Sequence, residues 1–151
     1  MTIPETGDAV TFSQEADGVR ARAGTISYLF PAADQPAVVA AYATIAAQAR
    51  DHFGSRLRSF GESVGEKLTD EIARRVALDQ AWLSYVNRRL IDPRPRPWGQ
   101  IVPVRRIVAD VVARALPRRR VKAAVLTAHL FDLSPDAYAA WQEGDRREQD
   151  R

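Results

Sequence analysis

Residues 36–60, PAVVAAYATIAAQARDHFGSRLRSF, decide the fold class of this chain. Apolar side chains recur in them at steps of three or four residues, which is the period of one face of an α-helix. These side chains are Val38, Tyr42, Ile45, Ala49, Phe53, Leu57 and Phe60. The period returns in residues 69–91, at Ile72, Val76, Leu83, Val86 and Leu90, with Trp82 at the edge. The sequence therefore predicts two long amphipathic helices that bury these faces.

The segment before these helices has the pattern of β-structure. Within residues 9–30 apolar and polar residues alternate, as they do in a half-buried strand. Asp17 and Gly18 supply the tight turn of a hairpin, because glycine adopts positive φ without steric cost. We interpret Gly24, which interrupts the second strand, as a bulge. Since a lone hairpin is only marginally stable, it must lie on the helices or pair with another chain.

Residues 92–103, DPRPRPWGQIVP, form the clearest boundary in the chain. Four prolines in 12 residues exclude a helix and favour extended polyproline geometry. We interpret this stretch as a stiff linker. Two alternatives stay open: residues 93–98 as a ligand for an aromatic groove or an arm on phosphate, and Trp98 as an anchor folded back onto the helices.

Beyond the linker, shorter helices are predicted over 104–116, 118–131 and 135–143. The fold class is mainly α, with an N-terminal β-hairpin followed by four to five helices in a bundle-like arrangement. We divide the chain into an interaction or oligomerisation part at 1–91, the linker at 92–103, a basic helix-turn-helix-like segment at 104–144 and a charged tail at 145–151.

The composition, typical of a globular chain, excludes several kinds of site. The 151 residues contain no cysteine, which rules out disulfides, thiolate metal sites and cysteine nucleophiles. His52 and His129 lie in different predicted helices, without a second ligand at metal-binding spacing. No glycine-rich phosphate loop occurs. We therefore predict no enzymatic activity, catalytic residue, metal or cofactor.

The sequence also bears on location. No apolar run is long enough for a transmembrane helix, and the first 20 residues lack the basic start and apolar stretch of a secretory signal. We expect a cytoplasmic protein.

The distribution of charge is the clearest sign of a partner. Residues 88–122, which we call the cationic band, hold 11 arginines and lysines against two aspartates. The flanking parts, 1–87 and 123–151, each carry a net charge of −3. A concentrated positive field favours polyphosphate, nucleic acid or an anionic surface as the partner.

Residues 121–144, VKAAVLTAHLFDLSPDAYAAWQEG, resemble the helix-turn-helix of the Cro/Xre repressor class. Ala128 stands at the family's small position, residues 132–134 form the turn, and Ser134 caps the second helix. Tyr138 and Trp141 match the apolar anchors, and residues 142–144 the helix exit. In a different register, residues 115–120 and 131–134 resemble the start of region 4 of sigma factors. A packed pair of helices with core aromatics is the alternative.

The sequence departs from the repressor pattern in two ways. The turn has Asp132 where glycine is usual. The exposed positions of the second helix are Asp136, Ala137, Ala139 and Ala140, whereas bases are usually read by arginine, lysine, asparagine or glutamine. The resemblance and the cationic band together give these candidate nucleic-acid-binding residues: Arg105, Arg106, Arg114, Arg118, Arg119, Arg120, Lys122, Ser134 and Gln142.

These patterns lead to functional hypotheses of different classes. The first is a small nucleic-acid-associated protein, a DNA-binding regulator, that contacts the phosphate backbone through its cationic band. The second is a helical adaptor or assembly subunit that binds an acidic protein. The third and weakest is a peripheral membrane protein lying on its basic helix at 104–116. We expect a homodimer or larger assembly, formed by the hairpin and the two long helices.

Overall fold

The computed structural model describes residues 10–24, 26–60, 65–87 and 98–149. Three strands come first: β1 (Thr11–Glu15), β2 (Gly18–Ala23) and β3 (Ile26–Phe30). Within the described ranges five α-helices follow: α1 (Gln35–Phe60), α2 (Gly65–Val86), α3 (Val102–Ala115), α4 (Arg120–Leu130) and α5 (Pro135–Gln149). Short 3₁₀ turns at Ala32–Asp34 and Trp98–Gln100 precede α1 and α3. The predicted fold class, mainly α with N-terminal β-structure, is confirmed.

The β-structure is a meander of three antiparallel strands in the order β1-β2-β3. Ala23 lies opposite Ile26, so β3 turns back along β2, and the predicted bulge at Gly24 is wrong. Gly24 has a φ of 61° and lies in this second turn, in a conformation that glycine adopts without steric cost. The inward side chains of the sheet are the buried Val10, Phe12, Val19, Ala21, Ala23 and Phe30.

Gly18 permits a close approach rather than forming the centre of the first turn. Glu15 pairs with Gly18, so Ala16 and Asp17 are the turn residues. At Gly18 a Cβ would lie 2.3 Å from the carbonyl oxygen of Phe30 on β3. Only glycine lets the neighbouring strand lie at this position.

The two long helices pack on each other, and α2 also packs against β2 and β3. All the predicted apolar positions of α1 up to Leu57 are buried, which confirms that stripe, and the side chain of Phe60 lies outside the described residues. Both helices contribute fully buried alanines, Ala46 and Ala49 from α1 and Ala73, Ala77 and Ala81 from α2. Small side chains at a helix contact allow the axes to come close.

The predicted face of α2 is correct only in its first half. Ile72 and Val76 are fully buried, but Leu83 and Val86 are 37% and 51% exposed, and Leu90 lies outside the described residues. In the last turns the helix presents aromatic rings to the sheet instead. Trp82 stacks on Tyr28 with ring centroids 4.8 Å apart, and the Tyr28 hydroxyl donates to Asp79 at 2.9 Å.

Trp98 is the anchor that joins the C-terminal helices to the rest of the chain. Its side chain is 2% exposed and its ring centroid lies 5.9 Å from that of Phe53 on α1. Of the three interpretations of Trp98, the folded-back anchor is therefore confirmed, while residues 92–97 lie outside the described part. Buried valines of α3 and leucines of α4 complete the same core, namely Val104, Val108, Val111, Val112, Leu126 and Leu130.

Candidate nucleic-acid interface

The structure describes seven of the 11 basic residues of the cationic band, and it places them in three settings. Arg88, Arg89, Arg94 and Arg96 lie outside the described residues. Arg105 and Arg106 are in the first half of α3, and Arg114 is near its end. The arginine triplet (Arg118, Arg119 and Arg120) and Lys122 lie where α4 begins.

Arg105 is built into the fold. Its guanidinium carbon lies 4.0 Å from the ring centroid of Trp141 on α5, a cation–π contact. Its Nη1 donates to the carbonyl oxygen of Gly99 at 3.2 Å. The side chain thus joins α3, the Trp98–Gln100 turn and α5, so its predicted contact with nucleic acid would add to a structural role.

A pocket of about 140 Å³ opens beside this contact, between α3 and α5. Arg105 and Arg106 line it from α3, and Tyr138, Trp141, Gln142 and Arg146 line it from α5. The Gln142 amide donates to the Tyr138 hydroxyl at 2.9 Å. The structure therefore brings three candidate residues together at this pocket, Arg105, Arg106 and Gln142. The Gln142 amide, however, is bonded to a side chain of its own helix.

Arg114 belongs to an internal ion-pair network. Its Nε lies 3.3 Å from Asp110 one helical turn away, and the same carboxylate oxygen lies 3.1 Å from Nη1 of Arg75. Arg75 also pairs with Glu71 at 3.2 Å, and it is 8% exposed. Gly24 leaves room for it, since a Cβ there would lie 2.9 Å from Nη2 of Arg75.

The arginine triplet is in the opposite situation. All three side chains are exposed, and they form no hydrogen bond or ion pair with any residue that the structure describes. Arg119 is the N-cap residue of α4, its side chain makes no capping hydrogen bond, and no acidic residue lies in the first turn of the helix. The first N–H groups of a helix carry partial positive charge. The triplet therefore adds positive charge to the end of α4 that is already positive.

The turn between α4 and α5 has the hydrogen bonds of a Schellman motif. The Leu133 N–H donates to Ala128 O at 2.9 Å, and the Asp132 N–H donates to His129 O at 3.1 Å. Asp132 has a φ of 58°, the left-handed conformation that glycine would favour. Its carboxylate accepts from Nε and Nη2 of Arg56 on α1 at 3.0 and 2.6 Å, which holds the turn against the long helix.

The second helix begins as the sequence predicts. The Ser134 Oγ accepts from the Ala137 N–H at 3.2 Å, which confirms Ser134 as the cap. Ala128 is 1% exposed and Tyr138 is 4% exposed, while Trp141 is half-buried against Phe131 at 5.1 Å between ring centroids. The outward positions are Asp136, Ala137, Ala139 and Ala140, all exposed.

Two ionisable groups near this turn have shifted pKa values. Burial lowers the pKa of His52 below its ordinary value, and the positive charge of Arg56 lowers it further. The hydrogen bond from Arg56 lowers the pKa of Asp132. His129 shares a hydrogen bond between its Nε2 and the Arg56 carbonyl oxygen at 2.9 Å. In the described part of the chain no group of three acidic or histidine side chains could hold a metal ion.

Four residues that line the pocket did not emerge from the sequence as binding residues, namely Ala109, Tyr138, Trp141 and Arg146. Arg146 lies in the segment predicted as a charged tail, whereas α5 continues to Gln149. Trp141 was predicted only as an anchor. The spacing of Tyr138, Gln142 and Arg146 at four residues is a signal that would have placed them on one helix face.

No family model, curated protein or solved structure matches the chain. None of the helices in the described ranges has the length and apolar character needed to cross a membrane.

Proposed function

We propose that this chain is a cytoplasmic, non-enzymatic nucleic-acid-associated protein that grips the phosphate backbone with the arginine triplet at the start of α4. The observation that carries the proposal is the exposure of three consecutive guanidinium groups that pair with none of the described carboxylates. Arginine suits this role, since its planar fork can donate two hydrogen bonds to one phosphate.

The position of the triplet supports the proposal energetically. A cation near a helix N-terminus is unfavourable by roughly 0.3–1 kcal/mol, because it meets the positive end of the helix dipole. No acidic residue in the first turn of α4 offsets that cost. A phosphate group would offset it, since helix N-termini and guanidinium groups both bind anions.

The same surface is better suited to holding nucleic acid than to reading its sequence. The helix-turn-helix proposal makes α5 the recognition helix, and its outward face carries Asp136 and three alanines. Alanine offers no hydrogen bond to a base edge, and a carboxylate repels phosphate. We therefore propose contacts that depend on the backbone and vary little with base sequence, so a regulator built this way would need another component for target choice.

Leu83 and Val86, the exposed apolar residues at the end of α2, favour self-association through the N-terminal part. We propose a homodimer or larger assembly that uses this surface. Light scattering across a concentration series tests it: a strict monomer at high concentration would contradict the proposal.

The test of phosphate binding is a salt titration of labelled duplex DNA with two unrelated sequences. We expect similar affinity for both and a steep loss with salt, on the order of 0.9 log unit per log unit of salt for each phosphate contacted. Replacing Arg118, Arg119 and Arg120 with glutamate should weaken binding at least about 100-fold at low salt, because three attractive contacts become repulsive.

A matched control makes the same change in net charge elsewhere. Arg22, Arg58 and Lys67 are exposed on β2, α1 and α2, and reversing these three should reduce affinity far less than reversing the triplet. Equal losses in the two variants would contradict a localised site. No binding of duplex DNA or RNA at low salt, with an acidic protein retained after nuclease treatment of an extract, would favour the adaptor hypothesis instead.

A further inference from the structure

The pocket between α3 and α5 is lined by arginines from both helices, which α4 separates in the sequence. Arg105 and Arg106 line it from α3, and Arg146 lines it from the last turn of α5. Trp141 forms part of its wall, and none of the described residues that line it is a carboxylate. Arginine stays protonated at any physiological pH, so the side chains that line the pocket carry three positive charges.

We propose that this pocket is a binding site for a single phosphate group, separate from the surface at the start of α4. The guanidinium groups of the three lining arginines can each donate to a different oxygen of a tetrahedral dianion, which also brings opposite charge to them. A carboxylate offers two oxygens and one charge, so it would satisfy the pocket less well.

The size of the pocket limits the ligand. Sites for drug-sized molecules have volumes of roughly 300–1,000 Å³. At about 140 Å³ the α3–α5 pocket has room for a phosphate group and not for a nucleoside. Its ligand is therefore either inorganic phosphate or a phosphate that projects from a larger molecule, such as the terminal phosphate of a nucleic-acid strand.

Two of the three arginines are arranged in a way that suits binding. Arg105 is held in one position by Trp141 and by the Gly99 carbonyl, which lowers the entropy cost of ordering it around a ligand. Arg146 lies 4.0 Å from the Glu143 carboxylate, too far for a hydrogen bond, and Arg147 lies closer to that carboxylate at 3.5 Å. Among the contacts of Arg146 with described residues, phosphate thus competes with this weak one.

Calorimetric titration of the full chain with inorganic phosphate tests the site, with sodium acetate at matched ionic strength as the carboxylate probe. We expect saturable phosphate binding with a dissociation constant on the order of 1 mM or tighter, and at least about tenfold weaker acetate binding. Acetate that binds as tightly as phosphate, or no saturable phosphate binding, would overturn the proposal.

Paired variants locate the binding. Arg106→Ala with Arg146→Ala should weaken phosphate binding at least about tenfold, and both side chains are exposed, so the fold should persist in circular dichroism. Arg22→Ala with Arg58→Ala removes the same charge from exposed positions on β2 and α1 and should change phosphate binding less than about twofold. Equal losses in both variants would mean general electrostatic attraction and would overturn the site.

A 5′-phosphorylated and an unphosphorylated duplex distinguish the two sources of phosphate. If the terminal phosphate of a strand is the ligand, phosphorylation raises duplex affinity in the wild type and not in the Arg106→Ala, Arg146→Ala variant. If inorganic phosphate is the ligand, phosphorylation has no effect while the calorimetric site persists. Either result supports a phosphate-binding site in the pocket. Neither result depends on whether the arginine triplet binds the internal phosphates of the duplex.

Discussion

Three arginines of α1 and α2 and those at the start of α4 are the same residue type in opposite surroundings. Arg50 pairs with Asp70, Arg56 with Asp132 and Arg75 with Asp110, and each pair joins two different parts of the fold. The triplet of α4 lies exposed without such carboxylates among the described residues. The comparison teaches that surroundings, rather than local density of positive charge, decide which arginines serve the fold and which are available to a partner.

Arg75→Ala should have the largest effect on stability. The side chain is buried, and its loss removes the partner of Glu71, removes one of the two arginines paired with Asp110 and opens space beside Gly24. Because both carboxylates are partly exposed, we expect a loss of about 2–3 kcal/mol in the free energy of unfolding, below the range for fully buried pairs. Urea denaturation measures it. Arg74→Ala is the neighbouring control, and a loss as large there would remove the contrast between paired and unpaired arginines.

The ion pair between Arg56 and Asp132 should contribute less, because the Asp132 side chain is 64% exposed. Asp132→Ala loses the pair and keeps a Cβ at positive φ, so we expect a loss of about 1–2 kcal/mol. Asp132→Gly loses the same pair but removes the strain of a Cβ at positive φ. Its loss in the free energy of unfolding should therefore be about 1 kcal/mol smaller. Thermal unfolding of both variants separates the two contributions. Equal losses would show that the conformation of the turn contributes nothing.

Reversing the triplet should raise stability while it removes binding. Glutamates at residues 118–120 would face the positive end of α4 in place of arginines, which we expect to add about 1 kcal/mol to the free energy of unfolding. Low-salt urea denaturation is the measurement, since salt screens the effect. A destabilised variant would mean that the triplet supports the fold in the way that Arg56 and Arg75 do.

The smallest effect concerns pH. The pKa of His52 is lowered by burial and by Arg56, so the folded chain favours the neutral ring. As pH falls below about 6.5, the unfolded chain takes up the proton first and stability declines, until the folded His52 is also protonated. His52→Phe should flatten this decline. The lowered pKa of Asp132 predicts a second decline below about pH 4, which the variant should keep. If the stability of the wild type does not change down to pH 5, the prediction for His52 is contradicted.

Periodicity predicted the helices well because local spacing determines which face of a helix is apolar. It gave the stripe of α1, while the resemblance to the Cro/Xre class gave the cap at Ser134 and the anchors at Tyr138 and Trp141. It failed at the end of α2, where contact with the sheet favours Trp82 and Tyr85 over Leu83 and Val86. That choice depends on residues about 50 positions away along the chain, as in the hydrogen bond from Tyr28 to Asp79.

The candidate site was less predictable for the same reason. The sequence located the cationic band but did not distinguish Arg105, which stacks on Trp141, or Arg114, which pairs with Asp110, from the exposed triplet. It also placed Arg146 in a tail rather than at the pocket. Each of these assignments depends on how α3 packs against α2 and α5, which a local pattern does not contain.

The contact between Arg56 and Asp132 also has a consequence for the lifetime of the folded chain. It joins residues 76 positions apart, whereas the strands of the meander are neighbours in sequence. Closing so long a loop costs more entropy than closing a hairpin, so we expect this contact to form late, after the folding barrier. Weakening it would then accelerate unfolding and leave the folding rate nearly unchanged. A single aspartate in an exposed turn would thus control how long the C-terminal helices stay docked once the chain has folded.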